Sequence, residues 1–435
     1  MNKTGNFQLI VLIVFIVGAV FGILVFSGLI NIGNKSSTVV QGSAVLWGTV
    51  KFTSIAPALE TFSLANPTLN VQYVEKNPLT FDQELLEALA EGKGPDMFIL
   101  PDDLIVHYRN KIMPIPFASF PEASFRSSFA GAGEIYLNST GVLALPLAID
   151  PLVLYYSRSA FDAAGIINPP VYWNDMQNIV SLLTQKNQDG KIVKSAVALG
   201  QFSNILHAKD IISMLFMQAG SPIVILNGDS LSSALTDSNL STQAVDLGPI
   251  LSFYTSFADP LSALYSWNRS LANSRDSFSA DKLALYFGYG SELGLITAKN
   301  PNQNFYIAPV PQIKNSNFKL TFGHTYGIAI SAYTKNQAVA FTVAGLLANG
   351  DFAKDFANAL LIAPARRDLL ATKPTDAYFP VFYDSALFAR SWLDPAPAET
   401  DAIFQRMVEN VLSNNLSAEN SIGDAASKLQ LLLTK

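Results

Sequence analysis

Residues 153–173 read VLYYSRSAFDAAGIINPPVYW, and the order of residue types in this stretch sets the fold class. It opens on an apolar run carrying Tyr155 and Tyr156, the composition of a buried strand. From Arg158 to Ala164 the pattern turns helical, and Gly165 supplies a stop, since glycine tolerates the left-handed backbone that closes a helix. Pro169 and Pro170 forbid further helix, and WNDMQNIVSLLTQ starts the next one, with Asn174 and Gln177 spaced as its cap. Strand, short helix, rigid turn and helix make one unit of an α/β sheet. Trp173 and the two prolines then read as bracing for the strand-to-helix connection.

The same grammar runs upstream. AVLWGTV from Ala44 is a short apolar run, APALETFSLANP is helical, and LNVQYV at 69–74 alternates like a strand. TFDQELLEALAEGKGPD follows as a helix: Thr80 and Gln83 have capping-box spacing, Phe81, Leu85 and Leu89 share one face, and Gly92 ends it. MFIL at 97–100 is a buried strand. Strands alternating with helices predict a mainly parallel sheet with right-handed crossovers. No fixed-period repeat is present, which argues against a solenoid or propeller.

Composition bounds the function. The chain has 435 residues and 49% hydrophobic content, enough for a large core and two or three domains at about 150 residues each. Its net charge of -6, with 14% charged residues and no basic stripe, excludes nucleic acid as the natural partner class. Residues 8–30, QLIVLIVFIVGAVFGILVFSGLI, form an uncharged apolar run of 23 residues. As a helix that run rises about 34 Å, enough to cross a hydrocarbon core of roughly 30 Å. A cleavable signal carries a shorter apolar region followed closely by a small-x-small site, whereas here the best such triplet is Gly42 to Ala44, far downstream. The run therefore reads as an uncleaved transmembrane anchor. Lys3 before it favours a single pass through the plasma membrane with the globular part on the extracytoplasmic side. Gly18 and Gly22 have the spacing that lets two helices approach, but that spacing is common by chance and the run reads first as a monomeric anchor. With no cysteine, a lipid-modified cysteine, disulfides and thiolate metal sites are all excluded.

Three ordered motifs give the chain a relative. GKGPDMFIL after a helix, LALPLAIDPLVLYYSRSAFDAAGIINPPVYW, and FSADKLALYFGYGS resemble the extracellular solute-binding proteins of ABC importers, in the family that includes maltose-binding proteins. That family's middle pattern is a strand ending in Tyr-Asn-Lys, a Phe-led helix, then Pro-Pro-x-Thr-Trp. Here it reads Tyr156-Ser157-Arg158, Phe161 to Gly165, and Pro169-Pro170-Val171-Tyr172-Trp173, so Ser157, Arg158 and Tyr172 depart from it. GHTYGIAISAYTKNQAVAFTVAGLLAN looks like the family's return strand and helix, and APARRDLL like the start of its closing helices. The resemblance implies a type II periplasmic-binding-protein-like α/β fold, two lobes joined by crossing strands near Ala148 to Leu152 and Ala308 to Gln312. The implied organisation is a tail and anchor at 1–30, a tether at 31–43, a first lobe at 44–149 continued by 312–365, and a second at 150–311 continued by 366–435.

Ligands in open α/β folds bind beyond the carboxyl ends of strands, so residues just after each strand are the candidates. Trp47 ends the first strand, Asp102 and Asp103 follow MFIL, Asp150 sits at the first crossing, and Tyr289 and Ser291 follow LALYF. In sugar-binding members the positions matching Asp103 and Asp150 carry carboxylates that accept hydrogen bonds from ligand hydroxyls. Each is also what a solvated turn looks like. Trp267 in YSWNRS and Trp392 in RSWLDP lie in polar, loop-like contexts where a core tryptophan is less expected. His324 and Tyr326 in GHTYG follow a short strand near the second crossing, where an interior histidine is the competing reading.

Three other matches carry nothing. GDSL at 228–231 resembles a hydrolase signature, but no Asp-x-x-His partner exists, because Leu104, Asn204 and Thr321 precede the three histidines by three residues. QKNQDGK resembles part of a calcium loop, yet its first and twelfth positions are Gln185 and Ala196. Asn138-Ser139-Thr140 matters only in a host that glycosylates secreted proteins. No phosphate loop, His-Glu-x-x-His or Gly-x-Ser-x-Gly motif is present, so no cofactor or metal is expected. The sequence therefore predicts a membrane-tethered, non-enzymatic receptor that delivers a carbohydrate or similar polar solute to an ABC permease. The alternatives are a surface glycosidase using two of Asp102, Asp103, Asp150 and Glu292, or a sensory or adhesive ectodomain without a permease.

Overall fold

In a computed structural model of the chain, which describes residues 40–228, 230–236 and 245–434, strands and helices alternate from the first described element. The expected anchor at 8–30, with Gly18 and Gly22, and nearly all of the tether lie outside the described residues. Among the described residues, no helix is long and apolar enough to cross a membrane. The chain divides into two units, Met1–Gln41 and Gly42–Lys435, and every element below belongs to the second.

The first strand, β1 (Gly42–Gly48), begins two residues ahead of the expected Ala44, because Gly42 and Ser43 already pair with Leu69 and Asn70. It is followed by α1 (Phe52–Ala65), β2 (Leu69–Glu75), α2 (Phe81–Ala90) and β3 (Met97–Pro101), with β2 and β3 both parallel to β1. The buried face of α2 is Phe81, Leu85 and Leu89, as its spacing predicts. The predicted capping box does not form. Thr80 has helical backbone angles rather than the extended ones a cap needs, so its hydroxyl donates to Glu84 at 2.6 Å, while Gln83 donates to Glu87. Gly92 does end the helix, at φ +68°.

The stretch that opens with VLYY belongs to β4 (Ala144–Ser157), 14 residues buried along almost their whole length. Its partners change midway. Ala144 to Pro151 pair with the last long strand, whereas Leu152 to Tyr156 pair with a strand from the other half of the sheet. Then come α3 (Arg158–Ala163), α4 (Met176–Leu183), β5 (Gln185–Lys186), β6 (Ile192–Val197), α5 (Ala208–Gln218), β7 (Leu283–Tyr289), β8 (Phe305–Ala308) and β9 (Thr321–Ile330). The spatial order is β2-β1-β3-β9-β4-β7-β6-β5, with β8 on the end of β4. The sheet is not mainly parallel as predicted: β9 runs antiparallel to β3 and β4, and β7 and β8 run antiparallel to β4, because the long crossing strands return against the direction of the β-α-β units. The rigid turn braces as predicted: Trp173 is buried, its indole N–H donates to Gln218 at 2.7 Å, and its ring stacks on Phe287. The cap is not Asn174 with Gln177. Asp175 accepts the N–H groups of Val171 and Tyr172 instead, since the turn aims those two donors at it.

The second crossing is displaced from its predicted place. Pro309 and Pro311 have no N–H for a ladder, so β8 stops at Ala308. Gln312 bridges to Tyr172 and donates to the Leu320 carbonyl, which keeps this segment on the second half of the sheet. The chain returns in β9, where Gly323 pairs with Pro151. Helices Gln337–Asn349 and Asp351–Ala359 then pack on β1 and α1, while Pro397–Leu412 and Ala418–Leu433 pack on helix Gly248–Ser256. Between them, Ala389–Arg390 pairs with the start of β9 and leads the chain into Trp392 and Asp394.

Candidate ligand-binding cleft

At the carboxyl end of β3 the chain makes a single tight turn, Asp102–Leu104. Asp102 is 2% exposed, and its Oδ1 lies 3.0 Å from His324 Nδ1 and accepts the Thr325 N–H at 3.0 Å. Asp103 follows with an Oδ1 that is buried without a hydrogen-bond partner. Burial, and then the charge of Asp102, push the Asp103 carboxyl up to about 6. His324 lies within β9 rather than after a short strand, because the pairing of β9 begins at Thr321.

The facing wall is the start of α5. His207 enters it with a left-handed backbone, φ +62°, held by Glu292, whose Oε1 is 2.7 Å from His207 Nε2. Glu292 is buried and also accepts from Arg275, the Tyr286 hydroxyl and the Tyr289 N–H. Burial alone would raise its pKa, but these partners, His207 first, hold it below the ordinary value. In the first turn of α5, Asp210 Oδ2 accepts the Tyr289 hydroxyl at 2.8 Å and lies 3.9 Å from His324 Nε2. His324 thus links carboxylates from the two halves of the sheet. Its burial would lower its pKa, yet Asp102, Asp210 and Asp103 together push it up to about 10, so it is a cation at neutral pH. Lys209 donates to Asp394 at 2.8 Å and to Thr400 at 3.2 Å, fixing the loop that carries Trp392.

Between these walls lies a cavity of about 710 Å³, lined among others by Asp102, Asp103, Asp210, His324, Trp392 and Asp394. Asp102, Asp103, His324 and Trp392 are therefore brought together as the sequence predicts. The other candidates are not on its lining. Trp47 packs beside the hydrophobic core with the Lys76 ammonium 3.7 Å over its ring. Asp150 is buried and accepts the Ser291 N–H at 3.0 Å, so Ser291 serves Asp150 behind the cavity. Tyr289 stands behind the cavity, buried, with its ring 4.9 Å from that of His324. Tyr326 is half-buried on β9, where its backbone pairs with Pro101 and Ala148. Trp267 corrects the expectation of an exposed ring: it is 0% exposed and donates to Asn204 at 3.0 Å. Its polar neighbours point inward too, and the Ser266 hydroxyl accepts the Val197 N–H.

Sequence reading missed Asp210, Lys209, Asp394 and Asp401. The signal was HAKD at 207–210, charged residues opening the otherwise apolar run IISMLFM. Among the described residues no group of acidic or histidine side chains is placed to hold a metal ion.

Solved structures with the same fold include a cyclo/maltodextrin-binding protein complexed with maltotetraose (TM-score 0.71, 16% identity, 91% of this chain and 98% of that one). A second is a cyclic alpha-maltosyl-1,6-maltose binding protein from Arthrobacter globiformis (TM-score 0.73, 12% identity, 91% and 99%). A third is an ABC transporter solute-binding protein from Thermotoga lettingae bound with alpha-D-tagatose (TM-score 0.64, 18% identity, 90% and 100%). These likenesses establish an α/β periplasmic-binding-protein-like fold. A curated relative, a binding protein of Brucella abortus (strain 2308), is 27% identical over 125 residues, spanning 27% of this chain and 29% of the relative's length. Residues 50–366 match the family described as bacterial extracellular solute-binding protein, so the resemblance read from the three motifs holds and the chain belongs to that family.

Proposed function

We propose that this protein captures a carbohydrate or similar polar solute outside the plasma membrane and delivers it to an ABC permease, without catalysing any reaction on it. The observation that carries this reading is the polar cavity at the strand ends, lined by Asp102, Asp103 and His324 on one side and Asp210, Trp392 and Asp394 on the other. Similar structures hold maltotetraose, alpha-D-tagatose and mannotriose. In this reading the halves of the sheet act as lobes. The first is built from 44–149 and the return from β9 to residue 365, the second from 150 to the start of β9 with the closing helices from 366 on. A solute that touches both lobes favours the closed arrangement in proportion to its extra affinity for that state. The apolar run at 8–30 tethers the receptor, with its globular part on the extracytoplasmic side.

A thermal-shift screen of the protein against oligosaccharides, polyols and peptides tests the substrate class. A micromolar ligand at millimolar concentration adds about 4 kcal/mol to stability by mass action. Stabilisation by peptides with none by sugars or polyols would overturn the carbohydrate reading.

A further inference from the structure

We propose that the solute this cleft takes carries protonated amines, as an oligosaccharide of free, non-acetylated amino sugars does. The inference rests on the reading of this cavity as the solute site, and it follows from the way charge is distributed around it. Five carboxylates line the cavity: Asp102, Asp103, Asp210, Asp394 and Asp401. The cations beside them are already engaged. Lys209 is paired with Asp394 at 2.8 Å, and His324 lies 3.0 Å from Asp102 and 3.9 Å from Asp210. His207, also on the lining, turns its Nε2 to Glu292. Asp103 and Asp401 are left without an ion pair among the described residues.

Asp103 adds a second, independent observation. Its Oδ1 is removed from water and has no donor. The carboxylate thus stands at the cavity wall with its charge unpaired, and a solute ammonium in the cavity would meet it with the opposite charge and a donor in one charge-assisted bond. A neutral sugar hydroxyl would satisfy the hydrogen bond and leave the charge. An acidic sugar would add repulsion. The aromatic lining points the same way. Phe202, Phe322 and Trp392 are all nearly buried, and the Trp392 ring stacks on Phe404, which leaves little open ring face for a pyranose. Charge rather than stacking therefore selects the solute.

Calorimetry on the full chain in detergent, with the glucosamine tetramer, its fully N-acetylated counterpart, maltotetraose, tetragalacturonate and spermine, tests this. The glucosamine tetramer is expected to bind at least about tenfold more tightly than the N-acetylated one, with the gap narrowing in high salt as charge is screened. Asp103→Asn keeps the side chain's shape and should remove most of that preference. Asp401→Asn changes an exposed group; it should leave the urea midpoint of the apo protein unchanged and reduce the preference further. If the N-acetylated tetramer or maltotetraose binds as tightly as the amine form, the inference falls and the carbohydrate reading stands. Binding of spermine alone would uphold the protonated amine and overturn the carbohydrate reading, and binding of none of the five would overturn both.

Discussion

Replacing Asp150 by asparagine should make the protein relatively more stable as pH rises. Asp150 is buried at the junction of the two halves of β4, and one oxygen accepts the Ser291 N–H at 3.0 Å. Burial raises its carboxyl from the ordinary 3.8 to about 6; the Ser291 bonds and His324 oppose the shift, and Glu292 adds to it. The sign follows from linkage. A carboxyl whose folded pKa lies above its unfolded one favours folding while neutral, so its contribution is complete below about pH 4 and is lost as pH rises through about 6. A shift of about two units corresponds to roughly 3 kcal/mol. Asp150→Asn retains an acceptor for Ser291 and cannot ionise. The stability of variant minus parent should therefore move toward the variant by roughly 3 kcal/mol between about pH 4 and pH 8, with most of the change complete by about pH 7. Urea unfolding of Gly42–Lys435, followed by tryptophan fluorescence at a series of pH values, measures this difference directly. A gap that stays constant with pH, or that moves toward the parent, would refute the reasoning.

Tyr289→Ala should cost about 3–5 kcal/mol in urea unfolding, since the ring is buried. Tyr289→Phe should cost about 1–3 kcal/mol by leaving Asp210 without its 2.8 Å donor. An unchanged midpoint in both would show that Tyr289 is a surface residue after all. Trp267→Ala should likewise lose about 3–5 kcal/mol, with ligand affinity of the folded fraction unaltered; weakened binding at full stability would place it in the cleft. Asp103→Ala should leave the apo protein as stable as the parent and weaken ligand binding by about tenfold or more. Solution scattering should show compaction on adding ligand to the parent, and tight binding with no compaction would refute lobe closure. If 8–30 anchors the chain, it should stay in the membrane fraction through a high-salt wash, because salt screens charge without extracting a spanning helix. A mature N-terminus beyond Ile30 would end that reading.

The local alternation of strand and helix was fully legible, because apolar period, proline and glycine act over a few residues. The 153–173 stretch specified a strand, a stop at Gly165 and a braced turn, and all three are present, Gly165 at φ +70°. The caps at Thr80 and Asn174 were misassigned because spacing alone does not fix the backbone angles that let a side chain reach its target. On the cavity lining, Asp102 and Asp103 were legible from their place beyond β3, whereas His324 lies within β9 and Trp392, read as an open ring, is nearly buried against Phe404. Trp267 was not legible, since a tryptophan among polar residues looks solvated until Asn204 and Ser266 are seen turned inward around it.

The sequence by itself determined the α/β class, the family and the acidic turn after β3, all of which depend on short-range pattern. Only the tertiary structure decided what faces what. Asp210 lines the cavity because α5 starts opposite β9, 114 positions away from His324 in the chain. Tyr289 stands off that lining because its hydroxyl meets Asp210 instead of solvent. The second crossing moved into β9 because two prolines silence the ladder at 309 and 311 while Gln312 holds the intervening segment to the second half. Residue pattern fixes which way a side chain leaves the backbone; burial and charge in the cleft depend on partners that meet only when distant segments close the sheet.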